Sequence, residues 1–195
     1  KASFYKKMLR FIDFAECLSL EWIMGPRNKP IRELTIVGGG LAGCEAAWQA
    51  AIRGIPVRLF EMRPIRETPA HKTGALAELV CSNSFGSSDP MSAPGLLKGE
   101  MRQLHSLILA AADQCAVPAG QAMGIDRNLF SQEISHRLEK HPFITLIREE
   151  VETLPTEGVA IIATGPLTSD RLAESIRKMT QSESLYFFDA ISPII

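Results

Sequence analysis

The chain has 195 residues, of which 46% are hydrophobic and 22% charged, which excludes a disordered protein and suffices for one globular domain with an appended segment. Its formal net charge of −1 excludes an overall basic surface for nucleic acid, because affinity for phosphates depends mainly on lysine and arginine. The cysteines form no C-x-x-C pair and the histidines show no ligand spacing, so we expect no metal site, no dense disulfide framework and a cytoplasmic location.

Residues 1–33 differ in composition from the rest of the chain. They mix aromatic residues with charges, contain no 18-residue apolar span for a membrane, and end in a breaker-rich stretch over 25–30. Asp13 and Glu16 interrupt the apolar residues, so no signal peptide is predicted. We expect an N-terminal extension or linker here, followed by a FAD-binding domain over 34–195.

Residues 34–61 read as the strand, turn, helix and strand of a nucleotide-binding unit. An apolar strand over 34–37 leads into a glycine-rich turn, and apolar residues then recur at helical spacing up to residue 52. A second strand over 57–60 is followed directly by an acidic residue. The candidate cofactor-binding residues of the turn are Gly38, Gly39, Gly40, Leu41, Ala42 and Gly43.

Three glycines of this turn have different tasks in such a unit. Gly38 permits the tight turn, Gly40 lets the backbone approach a diphosphate, and Gly43 lets the helix pack closely on the sheet. The diphosphate then lies at the helix N-terminus, where unpaired N–H groups favour an anion. Glu61, 18 residues after Gly43, can accept hydrogen bonds from both ribose hydroxyls, which disfavours the 2′-phosphate of NADP. The turn alone does not separate FAD from NAD.

An irregular segment over 63–95 is rich in proline, glycine and serine, and a loop of this length is usually functional. It contains Cys81, in the stretch AELVCSNSF over 77–85. From the residues alone, a packed core thiol is the favoured interpretation of this cysteine, because free cysteine is among the most buried residue types.

Two helices are predicted after this segment. The first is a single helix over 97–115, and the second runs over 128–140 with Phe130, Ile134 and Leu138 facing inward. The inward stripe of the first consists of Leu97, Met101, Leu104, Ile108, Ala111 and Cys115. Cys115 is therefore a core position, as is Cys44 on the inward face of the preceding helix. The histidines, at surface or satisfied core positions, are His71, His105, His136 and His141.

Short strands are predicted over 143–147 and 151–154, followed by an apolar strand over 159–165. This last strand ends in Ala163, Thr164 and Gly165. In two-dinucleotide-type flavoproteins such a strand returns to the sheet and brings small residues near the cofactor, so FAD is favoured.

A final helix is predicted from the spacing of Leu172, Ile176 and Met179, with Thr168 or Ser169 as N-cap. The fold class expected from all these elements is α/β, an FAD-binding Rossmann-like three-layer fold with a parallel sheet that is incomplete at the C-terminus.

Eight segments of the chain resemble, in order, the folate- and FAD-dependent tRNA (uracil-5-)-methyltransferase family. They are GGGLAGCEAAWQAA, LFEMRP, TPAH, AELVCSNSF, GLLKGEMR, VPAG with Asp126 and Arg127, IIATGPLTS and YFFDAISPII. EMRP and AELVCSNS are the most specific, whereas GGGLAGCEAA is shared with a related flavoprotein that modifies wobble uridine. Family chains continue beyond the end of this one, so we expect the N-terminal portion of such an enzyme.

The resemblance implies a site. Residues 38–43 correspond to the family's FAD diphosphate loop, Glu61 to its ribose carboxylate, and residues 163–165 to its second flavin-contacting strand. Cys81 corresponds to a catalytic cysteine near the flavin.

The resemblance also implies a reaction. Family members transfer the methylene group of 5,10-methylenetetrahydrofolate to a T-loop uridine of tRNA, with reduced FAD as reductant and NAD(P)H as the source of electrons. No membrane or metal is involved. A thiolate adding at C6 of uracil would make C5 nucleophilic, which gives Cys81 a chemical purpose.

Two other functions remain open. The chain could be another flavin oxidoreductase in which Cys81 is a redox thiol, and a partner cysteine would then be required. It could also be a fragment without enzymatic activity that binds FAD weakly or not at all.

Overall fold

The computed structural model describes residues 24–25, 29–30 and 32–181. The chain divides into two units between Arg32 and Glu33. In the first unit, β1 (Met24–Gly25) and β2 (Lys29–Pro30) form an antiparallel pair. The other expectations for residues 1–31, and that for the segment YFFDAISPII, lie outside the described residues.

The second unit contains both helices and strands. In chain order they are β3 (Leu34–Val37), α1 (Leu41–Ala51), β4 (Val57–Phe60), β5 (Ser84–Ser87), α2 (Ala93–Gln103), α3 (Leu107–Gln114), β6 (Ala116–Val117), β7 (Ala122–Ile125), α4 (Arg127–Lys140), β8 (Ile144–Ile147), β9 (Val159–Ile162), a 3-10 helix (Gly165–Leu167) and α5 (Asp170–Thr180). None of these helices is long and apolar enough to cross a membrane.

Four strands form a parallel sheet in the order β8-β4-β3-β9. Leu34 of β3 lies beside Val57 on one side and Val159 on the other. Numbered along the chain this order is 3-2-1-4, the order of the first four strands of a doubly wound nucleotide-binding fold, and it reverses between β3 and β9. The α/β class and the parallel sheet expected from the sequence are confirmed, and β3 and β4 have the predicted bounds.

Helices α1 and α4 cover one face of this sheet. The buried side of α1 carries small residues, among them Cys44 and Ala47, which bring its backbone close to the strands. Phe130, Ile134 and Leu138 of α4 are fully buried, as predicted, and each contributes about 1.5–3 kcal/mol through removal of apolar surface from water. The helix layer therefore fixes where the carboxyl ends of the strands lie.

The opposite face of the sheet meets an irregular segment over 149–157, which adjoins Thr35, Arg58 and Phe60. The guanidinium of Arg58 lies 5.0 Å from the centre of the Phe60 ring. A strand over 151–154 was predicted here, and this prediction is wrong. The Leu154 N–H donates to Ser175 Oγ of α5 at 3.0 Å, so it is not available to a strand ladder.

The prediction of one helix over 97–115 is also wrong, because the chain forms α2 and α3 with a break at 104–106. His105 adopts a φ of +58°, and Ser106 caps α3. Glu45 of α1 accepts hydrogen bonds from Ser106 Oγ and from the N–H groups of Leu107 and Ile108, which fixes the start of the new helix. Leu97 and Leu104, predicted to face inward, are 56% and 41% exposed.

A small antiparallel sheet with the order β5-β7-β6 was not predicted. Its strands are two to four residues long and rich in serine, glycine and alanine, so they show no alternation of apolar and polar residues. The Ile125 N–H donates to the Asn83 carbonyl at 2.8 Å, which ties the chain just after Cys81 to β7.

Helix α5 occurs where the final helix was expected. Leu172 is buried in it, whereas Met179 is 67% exposed. Ser169 occupies the N-cap position, although its side chain makes no capping hydrogen bond.

Candidate functional site

A cavity of about 330 Å³ lies at the carboxyl ends of β3 and β9, where the order of the strands reverses. Ligands of open α/β sheets bind at this position. Of the predicted residues, those that line it are Gly38, Gly39, Gly40, Leu41, Ala42, Glu61, Ala163, Thr164 and Gly165. Gly43 lies beneath the turn and Cys81 lies outside the lining.

The turn after β3 approaches the end of β9 too closely for side chains. Gly38 has a φ of +108°, and a Cβ built on it would lie 2.6 Å from the Ala163 carbonyl oxygen. A Cβ on Gly43 would lie 1.8 Å from the Gly38 carbonyl oxygen. These two glycines are therefore required by packing within the protein itself.

Gly40 is different, because a Cβ there would meet no protein atom within 4 Å. Its backbone is extended, with φ −76° and ψ −173°, a conformation open to any residue. The first hydrogen bond of α1 runs from Cys44 N–H to the Gly40 carbonyl at 2.9 Å, so the preceding N–H groups have no partner within the helix. Open space beside free N–H groups at a helix N-terminus fits a diphosphate.

Glu61 and Arg63 form a buried ion pair on the cavity wall, with residue exposures of 6% and 3%. Glu61 Oε1 accepts from Arg63 Nε at 2.9 Å and from the Arg63 N–H at 3.0 Å. Glu61 Oε2 accepts from the Gly39 N–H at 2.8 Å and from Arg63 Nη2 at 3.2 Å. The carboxylate is thus held against the glycine turn, where the ribose next to a diphosphate would lie.

Burial by itself raises the pKa of Glu61, but the hydrogen bonds and charge of Arg63, with the Gly39 N–H, outweigh it and hold this pKa below its ordinary value of 4.5. A carboxyl whose pKa is lower in the folded state stabilises the fold above its unfolded pKa. That contribution is lost as the pH falls through the folded pKa.

Glu61→Gln is expected to destabilise the fold at pH 7 by about 3 kcal/mol, because it leaves Arg63 with one carboxylate partner fewer. Below about pH 4.5 the gap between wild type and variant should narrow, since protonation removes the same charge from the wild type. Urea denaturation from pH 3 to 7 measures this gap. A gap that does not change with pH would contradict the assignment of the charge to Glu61.

Cys81 is exposed, and so the core position favoured by the residues alone is wrong. It follows Val80, which lines the cavity, and it precedes β5. The Ala77 N–H donates to the Gly39 carbonyl at 2.8 Å, so the segment that carries the thiol is attached to the glycine turn.

The two other described cysteines are buried, as predicted. Cys44 Sγ donates to the Gly39 carbonyl at 3.2 Å, and burial, reinforced by the charge of Glu61, raises the pKa of this thiol to about 12. Burial likewise raises the pKa of Cys115.

Iodoacetamide at pH 8 is expected to modify Cys81 in the native protein and to leave Cys44 and Cys115 unmodified, because only thiolates react and, of these three described cysteines, only Cys81 is accessible. Peptide mass spectrometry after timed labelling measures each site separately. Denaturation in urea should make all three react, and equal native rates at Cys44 and Cys81 would be incompatible with this structure.

Four residues of the site were not assigned to it from the sequence: Arg63, His71, Glu78 and Arg148. His71 lines the cavity, and its Nδ1 lies 2.6 Å from Thr68 Oγ1. Burial and the neighbouring Arg63 cation hold the pKa of His71 below its ordinary value. Arg148 Nη1 donates to the carbonyls of Arg63 at 2.9 Å and Gly74 at 2.7 Å. EMRP, TPAH and AELVCSNSF contain three of these four residues, Arg63, His71 and Glu78, but no sequence signal indicated their contacts.

A wider groove of about 760 Å³ lies on the opposite face of the sheet. Its charged lining consists of Glu149, Glu150, Glu152, Glu157 and a single arginine, Arg58. The cavity beside Gly40 is also lined by four glutamates and one arginine, so charge does not separate the two sites. Only the cavity beside Gly40 includes the glycine turn at the N-terminus of α1, and this makes it the better site for a diphosphate.

Comparison with known proteins shows the family to which residues 33–195 belong. A family model described as Glucose inhibited division protein A matches residues 33–195. The methylenetetrahydrofolate--tRNA-(uracil-5-)-methyltransferase TrmFO of Dictyoglomus turgidum is 56% identical over 165 residues, which cover 85% of this chain and 38% of that protein. The protein of the same name from Geobacter sulfurreducens is 59% identical over 162 residues, covering 83% and 37%.

Among solved structures, the GidA-related protein from Thermus thermophilus is 17% identical with a TM-score of 0.38, covering 69% of this chain and 53% of that one. Its sequence identity to this chain is much lower than that of the two methyltransferases. The chain spans less than two fifths of the length of the curated relatives it matches.

Proposed function

The chain belongs to the Glucose inhibited division protein A family, and we propose that it is the FAD-binding N-terminal part of a folate- and FAD-dependent tRNA (uracil-5-)-methyltransferase. Residues 34–195 would be the FAD-binding domain and residues 1–33 an extension. The observation that carries the proposal is the glycine turn with Glu61 at the switch point of the sheet, in a chain 56% identical to a relative of that activity.

Charge at the cavity supports FAD over NADP. Arg63 lies between two carboxylates, Glu61 and Glu78, at 2.9 and 3.1 Å, so the three side chains together carry a charge of −1. A 2′-phosphate next to Glu61 would add negative charge to this group, whereas a free ribose diol would donate hydrogen bonds to it.

Different parts of the cavity wall would bind different parts of FAD. The free N–H groups before Cys44 would hold the diphosphate, and the open face of Gly40 gives it access to the backbone. Ala163, Thr164 and Gly165 would form the opposite wall, close to the turn. When bound, FAD would supply the reducing equivalents for the new methyl group.

The exposed thiol of Cys81 would react with uracil and would not take part in binding the cofactor. Its addition at C6 gives C5 the character of an enolate carbon, which can then attack an electrophilic one-carbon unit. Exposure beside Val80, at the rim of the cavity, supports access by a macromolecular substrate.

The remaining substrates follow from the same proposal. The names of the relatives give methylenetetrahydrofolate as carbon donor and uracil in tRNA as acceptor. We propose in addition that the uridine lies in the T loop, where 5-methyluridine is formed, that NAD(P)H resupplies the electrons, and that the protein acts in the cytoplasm. Residues 32–181 contain more aspartate and glutamate than lysine and arginine, so further tRNA-binding surface would come from elsewhere in the enzyme.

A chimera tests this function. Residues 34–195 would replace the matching segment of the Dictyoglomus turgidum relative, and release of tritium from C5-labelled uracil in tRNA would be measured with folate and NAD(P)H. We expect release that requires the folate. A chimera that holds FAD as well as the parent enzyme but releases no tritium would contradict the proposal.

A further inference from the structure

The side chain of Arg63 is a buried bridge between two carboxylates from different parts of the chain. Its Nε and Nη2 donate to Glu61 at 2.9 and 3.2 Å, and its Nη1 donates to Glu78 Oε2 at 3.1 Å. Nη1 also donates to the Thr73 carbonyl at 3.3 Å. One guanidinium therefore joins the wall of the nucleotide cavity to the loop before Cys81.

Glu78 holds that loop together. Its Oε1 accepts from the Lys72 N–H at 2.9 Å, and its Oε2 accepts from the Thr73 N–H at 3.1 Å and Thr73 Oγ1 at 2.9 Å. The chain then continues through Val80, in the cavity wall, to the exposed thiol of Cys81. A change in the hydrogen bond between Arg63 and Glu78 would therefore change the conformation of the segment that carries the thiol.

Glu61 has no spare capacity to accept hydrogen bonds. Its two oxygens accept four, from the Gly39 N–H and from three donors of Arg63, and a carboxylate offers about four lone-pair sites. A ribose diol that donates to Glu61 must displace one of them. The bond from Arg63 Nη2 is the longest of the four, at 3.2 Å, and it comes from a side chain rather than from the backbone.

We propose that Arg63 is a positioning residue that couples a ribose diol bound at Glu61 to the conformation of the Cys81 segment. Glu78 already accepts four hydrogen bonds, so Nη2 gains no bond there. Once the diol replaces Nη2 at Glu61, the bonds left on the end of the guanidinium are those of Nη1 to Glu78 and to the Thr73 carbonyl, so the 72–78 loop alone holds that end. Binding of a nucleoside diphosphate thereby lowers the reactivity of the Cys81 thiol. The inference depends on the proposed dinucleotide site, and it extends that site to a residue outside the glycine turn.

ADP and 2′,3′-dideoxy-ADP are the matched probes. Both carry the adenine and the diphosphate, neither carries a flavin ring that could cover Cys81, and only ADP has the diol. With the 195-residue chain, calorimetry measures binding of each, and site-resolved mass spectrometry measures the rate at which iodoacetamide modifies Cys81. At saturation we expect ADP to slow this reaction at least about fivefold, and dideoxy-ADP to leave it unchanged.

Variants of Arg63 provide the second comparison. Arg63→Gln removes the charge, and Arg63→Lys keeps it but cannot bridge two carboxylates. Because Arg63 lines the cavity, the ADP affinity of each variant is measured first, and at saturating ADP neither variant should show the slowing of the reaction at Cys81. Arg102→Gln is the control, since Arg102 makes an equally bidentate pair with Asp113, at 2.8 and 2.7 Å, outside the cavity lining. This variant should keep the full effect of ADP.

The outcomes separate the two claims. The role of Arg63 would be overturned by equal slowing with ADP and dideoxy-ADP, by no slowing with bound ADP, or by an unchanged effect in Arg63→Lys. None of these results would contradict the nucleotide site. Failure of ADP to bind would contradict the nucleotide site itself. If the Arg63 variants do not fold, the comparison of the two nucleotides in the wild type still decides.

Discussion

Gly40→Val is expected to abolish FAD binding and to leave the fold intact. The valine methyl groups would occupy the space beside the turn where no protein atom lies within 4 Å, which is the space that a diphosphate requires. The backbone at φ −76° and ψ −173° accepts a β-branched residue without strain. Affinity should fall at least about 100-fold, which corresponds to about 2.8 kcal/mol, as measured by quenching of flavin fluorescence.

Gly99→Val is the matched control for this variant. Gly99 lies in α2, outside the cavity lining, and a Cβ there also meets no protein atom within 4 Å. It should bind FAD like the wild type, with both variants melting near the wild-type temperature. Equal retention of flavin by Gly40→Val and Gly99→Val would show that the diphosphate does not approach the turn.

Cys81→Ala in the chimera is expected to lower formation of 5-methyluridine by more than about 1000-fold, the scale on which loss of a covalent nucleophile acts. The same variant should retain its flavin, because Cys81 is not part of the cavity lining. Tritium release from C5 of uracil measures the chemistry, and flavin absorbance measures the cofactor.

Cys115→Ala is the control for the thiol, since Cys115 is buried at the end of α3 and does not line the cavity. It should keep most of the activity. Full turnover by Cys81→Ala would remove the thiol from the mechanism. Loss of both flavin and turnover would instead assign Cys81 a structural role.

The nucleotide-binding unit was predictable because its signals are local. The turn 38–43 follows β3 directly, and the interval to Glu61 is set by the length of α1 and β4. Likewise, the three apolar residues of α4 recur at every fourth position, so the period alone identified a buried face.

The rest of the site depends on contacts between distant segments, which a single sequence does not reveal. Glu78 reaches Arg63 only because the chain returns from the 63–76 loop, and Glu45 interrupts the helix over 97–115 from a position some 60 residues earlier. The apolar residues over 97–115 keep a helical spacing across the break at 104–106. The spacing therefore could not reveal that the helix is interrupted there. The exposure of Cys81 likewise depends on how the chain lies around the cavity rather than on its neighbours in sequence.

The identity of the bound cofactor tests the central claim most directly. The chain would be incubated with an equimolar mixture of FAD, FMN, NAD and NADP, separated from free ligand by gel filtration, and heated to release what remains for chromatography. We predict FAD at about one molecule per chain, through the diphosphate at Gly40 and the ribose at Glu61. Recovery of stoichiometric NADP, or of no dinucleotide at all, would contradict the account.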